Sequence, residues 1–244
     1  MRVLVTRPEP DAVKLRGILE ARGHRALVAP LLTVDYDPPD PEELEGVTAL
    51  IVTSRNALRA LAGSAAMEAA RHLTVYTVGG ATAEAARSMG FARVVKGPGT
   101  AAALGPLIAS LVDPAEEVLL HLAGDRLAHD LVGELRHTGL NVAERTVYRT
   151  RAAEGLPADV RDAIAGGHVD AVMLMSPQTA AIWAQLVRRQ GLTARAGRML
   201  HVCLSEAVAA RLQSLAGVPL AIAAAPTLEE MLALVDRTAA KSAH

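Results

Sequence analysis

At 244 residues the chain is long enough for two ordinary domains or one large one, and with 51% hydrophobic and 21% charged residues it can fill buried cores. A net charge of -1 and only five aromatic residues (Tyr36, Tyr76, Phe91, Tyr148 and Trp183) argue against nucleic-acid binding, which calls for a basic excess and, for single strands, stacking platforms. Cys203 is the single cysteine, which excludes an internal disulfide and a cysteine metal cluster. No apolar run approaches the ~20 residues that span a bilayer. Met1–Pro10 carries no apolar signal core, so no membrane association and a cytoplasmic location are expected.

In chain order, strands are predicted at Val3–Thr6 and Ala26–Ala29, on either side of a helix over Ala12–Arg22. Pro38-Pro39-Asp40-Pro41 then marks an extended, helix-free crossing. Strands follow at Ala49–Thr53, Val75–Val78 and Arg93–Val95, with a helix over Ala81–Met89 between the last two. Strands at Val118–Leu122 and Val142–Val147 enclose a helix over Leu127–His137. The last strands are Ala171–Met175, Val202–Leu204 and Leu220–Ala223. Several of these runs are apolar throughout, as parallel strands covered on both faces require. Their alternation with helical segments places the chain in the α/β class with doubly wound parallel sheets.

The central segment recurs in the C-terminal one. Ala49-Leu50-Ile51-Val52-Thr53-Ser54 parallels Ala171-Val172-Met173-Leu174-Met175-Ser176, Gly79-Gly80 parallels Ser205-Glu206, and Thr100 parallels Thr227. Ser54 to Gly79 is 25 positions and Ser176 to Ser205 is 29; Gly79 to Thr100 is 21 and Ser205 to Thr227 is 22. The central copy has one more unit, which starts at Val118, 18 positions after Thr100; the same step from Thr227 falls just beyond His244. The N-terminus carries a matching unit, because Val5 to Gly23 and His121 to Gly139 each span 18 positions. The expectation is a discontinuous lobe over residues 1–36 plus 149–244 and a continuous lobe over 37–148. Two chain crossings join them, near Thr33–Pro39 and Arg145–Arg151, and the working site is expected in the cleft between the lobes.

Ligands of open parallel sheets bind beyond the carboxyl ends of the strands. Those positions read Thr6-Arg7-Pro8, Thr53-Ser54-Arg55-Asn56, Gly79-Gly80, Gly97-Pro98-Gly99-Thr100, Gly124-Asp125-Arg126, Ser176-Pro177-Gln178-Thr179, Ser205-Glu206 and Pro226-Thr227. Hydroxyls and glycines predominate and acids are few. Such residues cap the following helix, and the same N–H groups and hydroxyls bind anions at helix N-termini. No G-x-G-x-x-G follows a strand and no Walker A sequence occurs. The histidines (His24, His72, His121, His129, His137, His168, His201 and His244) show no metal-ligand spacing and read as surface or packed residues. Tyr148 stands at the second crossing, where it is either a packed junction residue or a functional one.

The ordered set Val5-Thr6-Arg7-Pro8, Val52-Thr53-Ser54-Arg55-Asn56-Ala57, Val78-Gly79-Gly80-Ala81-Thr82-Ala83, Val147-Tyr148-Arg149-Thr150, Met175-Ser176-Pro177-Gln178-Thr179-Ala180 and Pro226-Thr227 resembles the uroporphyrinogen-III synthase family over nearly the whole chain. The resemblance implies two Rossmann/flavodoxin-like parallel-sheet lobes joined by a two-stranded linker. It also implies a hydro-lyase of tetrapyrrole and haem biosynthesis that closes linear hydroxymethylbilane into uroporphyrinogen III with inversion of ring D. By that resemblance the enzyme needs no cofactor and no metal, acts as a monomer, and takes a small-molecule substrate with eight carboxylates. Tyr148 matches the family's recurrent tyrosine and is expected to hydrogen-bond the departing hydroxyl. The residues expected to hold substrate are Arg7, Pro8, Thr53, Ser54, Arg55, Gly79, Gly80, Thr82, Gly99, Thr100, Gly124, Arg126, Ser176, Pro177, Gln178, Thr179, Ser205 and Thr227. The chain departs from the family pattern at Ser205-Glu206-Ala207-Val208-Ala209, where Val208 replaces a threonine, and at Met175. Those departures support the rival reading, a catalytically inactive two-lobed small-molecule-binding or regulatory module of the same fold. A sensor of the periplasmic-binding type is disfavoured by the missing export signal.

Overall fold

The computed structural model describes residues 1–127, 129–215 and 217–242; His244 lies outside them. The described elements are, in chain order, β1 (Arg2–Val5), α1 (Asp11–Ala21), β2 (Arg25–Val28), β3 (Leu32–Tyr36), β4 (Ala49–Val52), α2 (Arg55–Leu61), α3 (Ala66–Ala70), β5 (Thr74–Thr77), α4 (Gly80–Ser88), β6 (Arg93–Lys96), α5 (Ala101–Leu111) and β7 (Val118–Gly124). They continue with α6 (Leu131–His137), β8 (Asn141–Ala152), α7 (Ala158–Ala165), β9 (Ala171–Leu174), α8 (Pro177–Arg189), α9 (Thr193–Ala196), β10 (Leu200–Cys203), α10 (Glu206–Ala209), β11 (Leu220–Ile222) and α11 (Leu228–Ser242). None of the described helices is long and apolar enough to cross a membrane.

The chain divides into two compact units. Unit 1 is Met1–Thr33 with the chain from Arg151 onward; unit 2 is Val34–Thr150. The sheet of unit 1 has the strand order β11-β10-β9-β1-β2, and the second sheet runs β3-β8-β7-β4-β5-β6. Neighbours from β11 through to β2 pair in parallel, as do those from β8 through to β6. In unit 1, β1 and β2 occupy the places that β7 and β8 hold in unit 2. Both strand–helix–strand units end their helix alike. Gly23 (φ +79°) and Gly139 (φ +87°) adopt the left-handed conformation that glycine permits. The following amide then reaches back to the helix, His24 N–H to the Leu19 carbonyl at 3.0 Å and Leu140 N–H to the Leu135 carbonyl at 3.3 Å.

β3 is a strand absent from the sequence expectation. Only Leu32 of its five residues is buried, so its composition carries no strong period. Pairing supplies what composition lacks: Asp37 N–H donates to the Val147 carbonyl at 2.9 Å, and Ala153 N–H to the Leu31 carbonyl at 3.0 Å. Residue numbers rise on one strand as they fall on the other, so β3 and β8 are antiparallel. β8 therefore extends past the predicted Val142–Val147 to Ala152, and the two-stranded connection consists of these two strands. The predicted helix over Leu127–His137 begins only at Leu131, because the Asp130 carboxylate accepts from Gly133 N–H at 2.9 Å and caps it there.

Each sheet is covered on both faces, and alternation along its strands sorts the side chains. In unit 1, Leu4, Val172, Leu174 and Cys203 face one core with Trp183, while Val3, Val5, Ala171, Met173 and Val202 face the other with Leu15, Leu19 and Met231. In unit 2, Leu50, Val52, Leu120 and Leu122 oppose Ala49, Ile51 and Leu119. Each fully buried aliphatic side chain stabilises by about 1.5–3 kcal/mol. The core of unit 1 also holds a polar pair. His201 and Trp183 stand with ring centroids 6.1 Å apart, and His201 Nδ1 lies 3.0 Å from the Met199 carbonyl. Burial pushes His201 down to about 4 from its ordinary 6.5. The folded state therefore resists a proton that the unfolded state accepts, so stability is complete above pH ~6.5 and falls as pH drops toward ~4. That loss amounts to about 3 kcal/mol. Urea unfolding across this pH range should show the decline, and His201→Leu should flatten it.

Candidate active site at the carboxyl ends of the strands

Parallel pairing sends the carboxyl ends of β4, β5, β6 and β7 to one edge of unit 2, where the helices that follow begin. Ser54 caps α2 by accepting from Asn56 N–H at 3.2 Å, and Thr100 caps α5 by accepting from Ala103 N–H at 3.2 Å. α4 has Gly79 in the cap position and no side-chain acceptor for its first amides. Its N-terminus thus retains donors and the positive end of the helix dipole. The glycines here follow from crowding. A Cβ on Gly79 would stand 3.3 Å from the Cα of Gly99, and Gly99 has φ +111°, which other residues rarely adopt.

A cavity of about 340 Å³ opens at this edge, lined by Thr53, Ser54, Val78, Gly99, Thr100, His121, Gly124, Arg126 and Tyr148, among others. Tyr148 reaches it through a register shift between β7 and β8, where Ala123 pairs with Thr146 but Gly124 with Tyr148. Its ring lies directly over Gly124: a Cβ there would sit 2.5 Å from Tyr148 Cζ and 2.6 Å from its hydroxyl oxygen. Asp125 fastens the arrangement. Its amide donates to the Tyr148 carbonyl at 3.1 Å and its carboxylate accepts from Thr150 N–H at 3.1 Å.

Two titratable groups stand behind the cavity. His121 is the one polar side chain in the middle of the buried β7 and is register partner to Ile51 on one side and Glu144 on the other. Its Nδ1 is 3.0 Å from Glu144 Oε2 and its Nε2 is 3.3 Å from Thr53 Oγ1. Burial lowers its pKa and outweighs the opposing pull of Glu144. In the sequence reading His121 stands among surface or packed residues, Asp125 is named only as a strand-end position and Glu144 has no place. A polar residue inside an otherwise apolar strand was the one available signal.

Of the predicted site residues in unit 2, Thr53, Ser54, Gly99, Thr100, Gly124, Arg126 and Tyr148 thus line one cavity. Gly79 abuts Gly99, and Gly80 opens α4 with open space filled only by the end of Lys96. Arg55 is exposed at the start of α2, and Thr82 is buried on the inner side of α4, so its hydroxyl does not line the cavity. In unit 1 the corresponding residues also follow strand ends. Ser176 accepts from Thr179 N–H at 3.1 Å and lies 2.8 Å from the Thr179 hydroxyl, with Pro177 and Gln178 completing the first turn of α8. Ser205 precedes α10 without capping it by its side chain, and Thr227 accepts from Glu230 N–H at 3.3 Å. Arg7, just before Pro8, pairs with Asp11 at 2.9 Å. Val208 is buried in the core of unit 1, so the residue that departs from the family pattern serves packing. Larger hollows on unit 1, of about 670 and 750 Å³, involve Asp170, Leu200 and Pro219 at the amino ends of strands, and Arg188, Arg189 and Arg211 on helical surface; neither lies at the carboxyl edge.

A family model described as "Uroporphyrinogen-III synthase HemD" matches residues 13–233. No curated protein sequence gives a significant match. Among solved structures, the uroporphyrinogen-III synthetase of Helicobacter pylori superposes with a TM-score of 0.64 at 20% identity, covering 98% of this chain and 100% of that one. A mutant uroporphyrinogen III synthase from the extremely thermophilic bacterium Thermus thermophilus gives 0.54 at 20% identity, covering 99% of each chain. These two share the fold. The family match extends over most of the sequence, and the chain belongs to the uroporphyrinogen-III synthase family, the cyclising lyases of haem biosynthesis.

Proposed function

We propose that the family's reaction takes place at the carboxyl edge of the strands, with Tyr148 as the residue that meets the reacting end of hydroxymethylbilane. The observation that carries this is the Tyr148 ring laid across Gly124 in a cavity that Ser54, Gly99 and Thr100 also line. Loss of the terminal hydroxyl as water leaves an electrophilic azafulvene. The substituted carbon of ring D attacks that electrophile, a spiro intermediate forms, and fragmentation with reclosure delivers the inverted ring. The Tyr148 phenol donates a hydrogen bond to the departing hydroxyl.

The carboxylates of the substrate are assigned to the α4 N-terminus at Gly79 and Gly80, to Ser54, Gly99 and Thr100, and to Arg55 and Arg126. Ser54 and Thr100 use their oxygens as caps, so their hydroxyl hydrogens remain to donate. Each helix N-terminus favours an anion by about 0.3–1 kcal/mol. Arg7, Pro8, Ser176, Pro177, Gln178, Thr179, Ser205 and Thr227, at the carboxyl edge of the unit 1 sheet, are assigned to carboxylates on the same chemical ground. Positioning of this flexible chain is the main catalytic contribution, since a favourable geometry lowers a barrier by up to about 7–11 kcal/mol. The enzyme so proposed is a cytoplasmic monomer that needs no cofactor.

The decisive assay supplies freshly generated hydroxymethylbilane and measures the ratio of type III to type I uroporphyrinogen. An excess of type III is expected; type I alone, at the spontaneous rate, would exclude the proposal. Tyr148→Phe should lower kcat by roughly 100-fold, the lower end for a general acid, because the pyrrole supplies most of the electron push. Gly124→Ala should lower it comparably, with the circular dichroism spectrum retained, because the added methyl displaces the tyrosine ring. Activity should persist after dialysis against EDTA.

A further inference from the structure

Glu144, His121 and Thr53 form a line of hydrogen-bonding groups that ends at the cavity, and the reaction as described uses none of them. Strand register builds the line. His121 on β7 is level with Glu144 on β8 and with Ile51 on β4, and Thr53 follows Ile51 by two residues, on the same face. The His121 side chain is 2% exposed and that of Glu144 33%. The imidazole is therefore enclosed, with Glu144 Oε2 at 3.0 Å from Nδ1 and Thr53 Oγ1 at 3.3 Å from Nε2.

The direction of each hydrogen bond follows. A carboxylate only accepts, so the hydrogen of the ring is on Nδ1. Burial disfavours a second one, which leaves a lone pair on Nε2. Thr53 then donates its single hydroxyl hydrogen to Nε2, and its oxygen presents only lone pairs to the cavity. Ser54 and Thr100 have the opposite arrangement, since their oxygens accept from backbone amides and their hydrogens are available. One hydroxyl in this anion-binding edge is thus turned into an acceptor, a group that repels a carboxylate and suits a substrate N–H.

We propose that His121, oriented by Glu144, is a positioning residue that fixes Thr53 as a hydrogen-bond acceptor for a pyrrole N–H of the linear tetrapyrrole. This rests on the functional reading above and refines it: Thr53 reads the ring nitrogens of the substrate, and its neighbours read the carboxylates. Glu144 sets the polarity from outside the cavity. In Glu144→Gln the amide can either accept from Nδ1 or donate to it, so the ring hydrogen is shared between Nδ1 and Nε2 and Thr53 loses its fixed polarity.

Two measurements test this. Long-range proton–nitrogen NMR of the substrate-free protein should show His121 protonated on Nδ1 and unprotonated on Nε2 near neutral pH, and a mixture of the two tautomers in Glu144→Gln. Steady-state kinetics with hydroxymethylbilane should show KM raised about two- to twelve-fold in Thr53→Val, the value of one hydrogen bond, with a smaller change in kcat. Thr53→Ser, which keeps the oxygen, should recover most of that loss, and Glu144→Gln should show part of the Thr53→Val effect without contacting substrate. Protonation of Nε2 in the unaltered protein would overturn the proposal, as would an unchanged KM in Thr53→Val. If the unaltered protein yields only type I product, the functional reading fails instead, while the ring-nitrogen result still reports on the polarity of Thr53.

Discussion

The structure depends on β1 lying between β2 and β9. Val3, Leu4 and Val5 pair with Ala171, Val172 and Met173 on one side and with Ala26, Leu27 and Val28 on the other. That pairing makes the two distant parts of the chain one sheet, and all three β1 residues are fully buried in its two cores. Unit 2 is then an insertion, entered and left through β3 and β8. Because every strand from β11 to β2 is parallel to its neighbours, the carboxyl ends of this sheet collect at one edge, and the same rule holds from β8 to β6 in the other.

The chemistry of that edge follows from what a parallel sheet must do there. Most of the parallel strands hand over to a helix whose first amides lack partners. The chain answers with Ser54, Thr100, Ser176 and Thr227, which cap, and with Gly79, which does not. On the reading proposed above, helix ends and hydroxyls meet the carboxylates of the substrate. Tyr148 owes its position to a local irregularity, the register shift opposite Gly124, and to the absence of a side chain there. The conformational task proposed for the enzyme, to favour the spiro geometry over direct closure, suits a site built mainly from backbone and small polar groups.

Much of the fold was legible because fully apolar runs such as Ala49–Val52 and Ala171–Leu174 belong to strands covered on both faces, and because equal spacings betrayed the repeated unit. β3 was not legible: Thr33, Asp35 and Tyr36 are exposed, and its partner lies more than a hundred residues away. The hydroxyls and glycines of the site were visible in sequence as strand-end residues. The Glu144–His121–Thr53 line was not, because it exists only through the register of β8, β7 and β4. Thr82 illustrates the converse. Its place beside Gly79 and Gly80 suggested a contact residue, but helical geometry turns it into the core.

The central claim is that the carboxyl edge of the unit 2 sheet receives the tetrapyrrole. Backbone amide NMR during titration with uroporphyrinogen III under reducing conditions tests it most directly. The account predicts the largest shifts at Gly79, Gly80, Gly99, Ala101, Gly124 and Asp125, with little change at the amino ends of the same strands, at Thr48, Thr74 and Val118. Shifts concentrated at those amino ends, or none at Gly79 and Gly80, would contradict it.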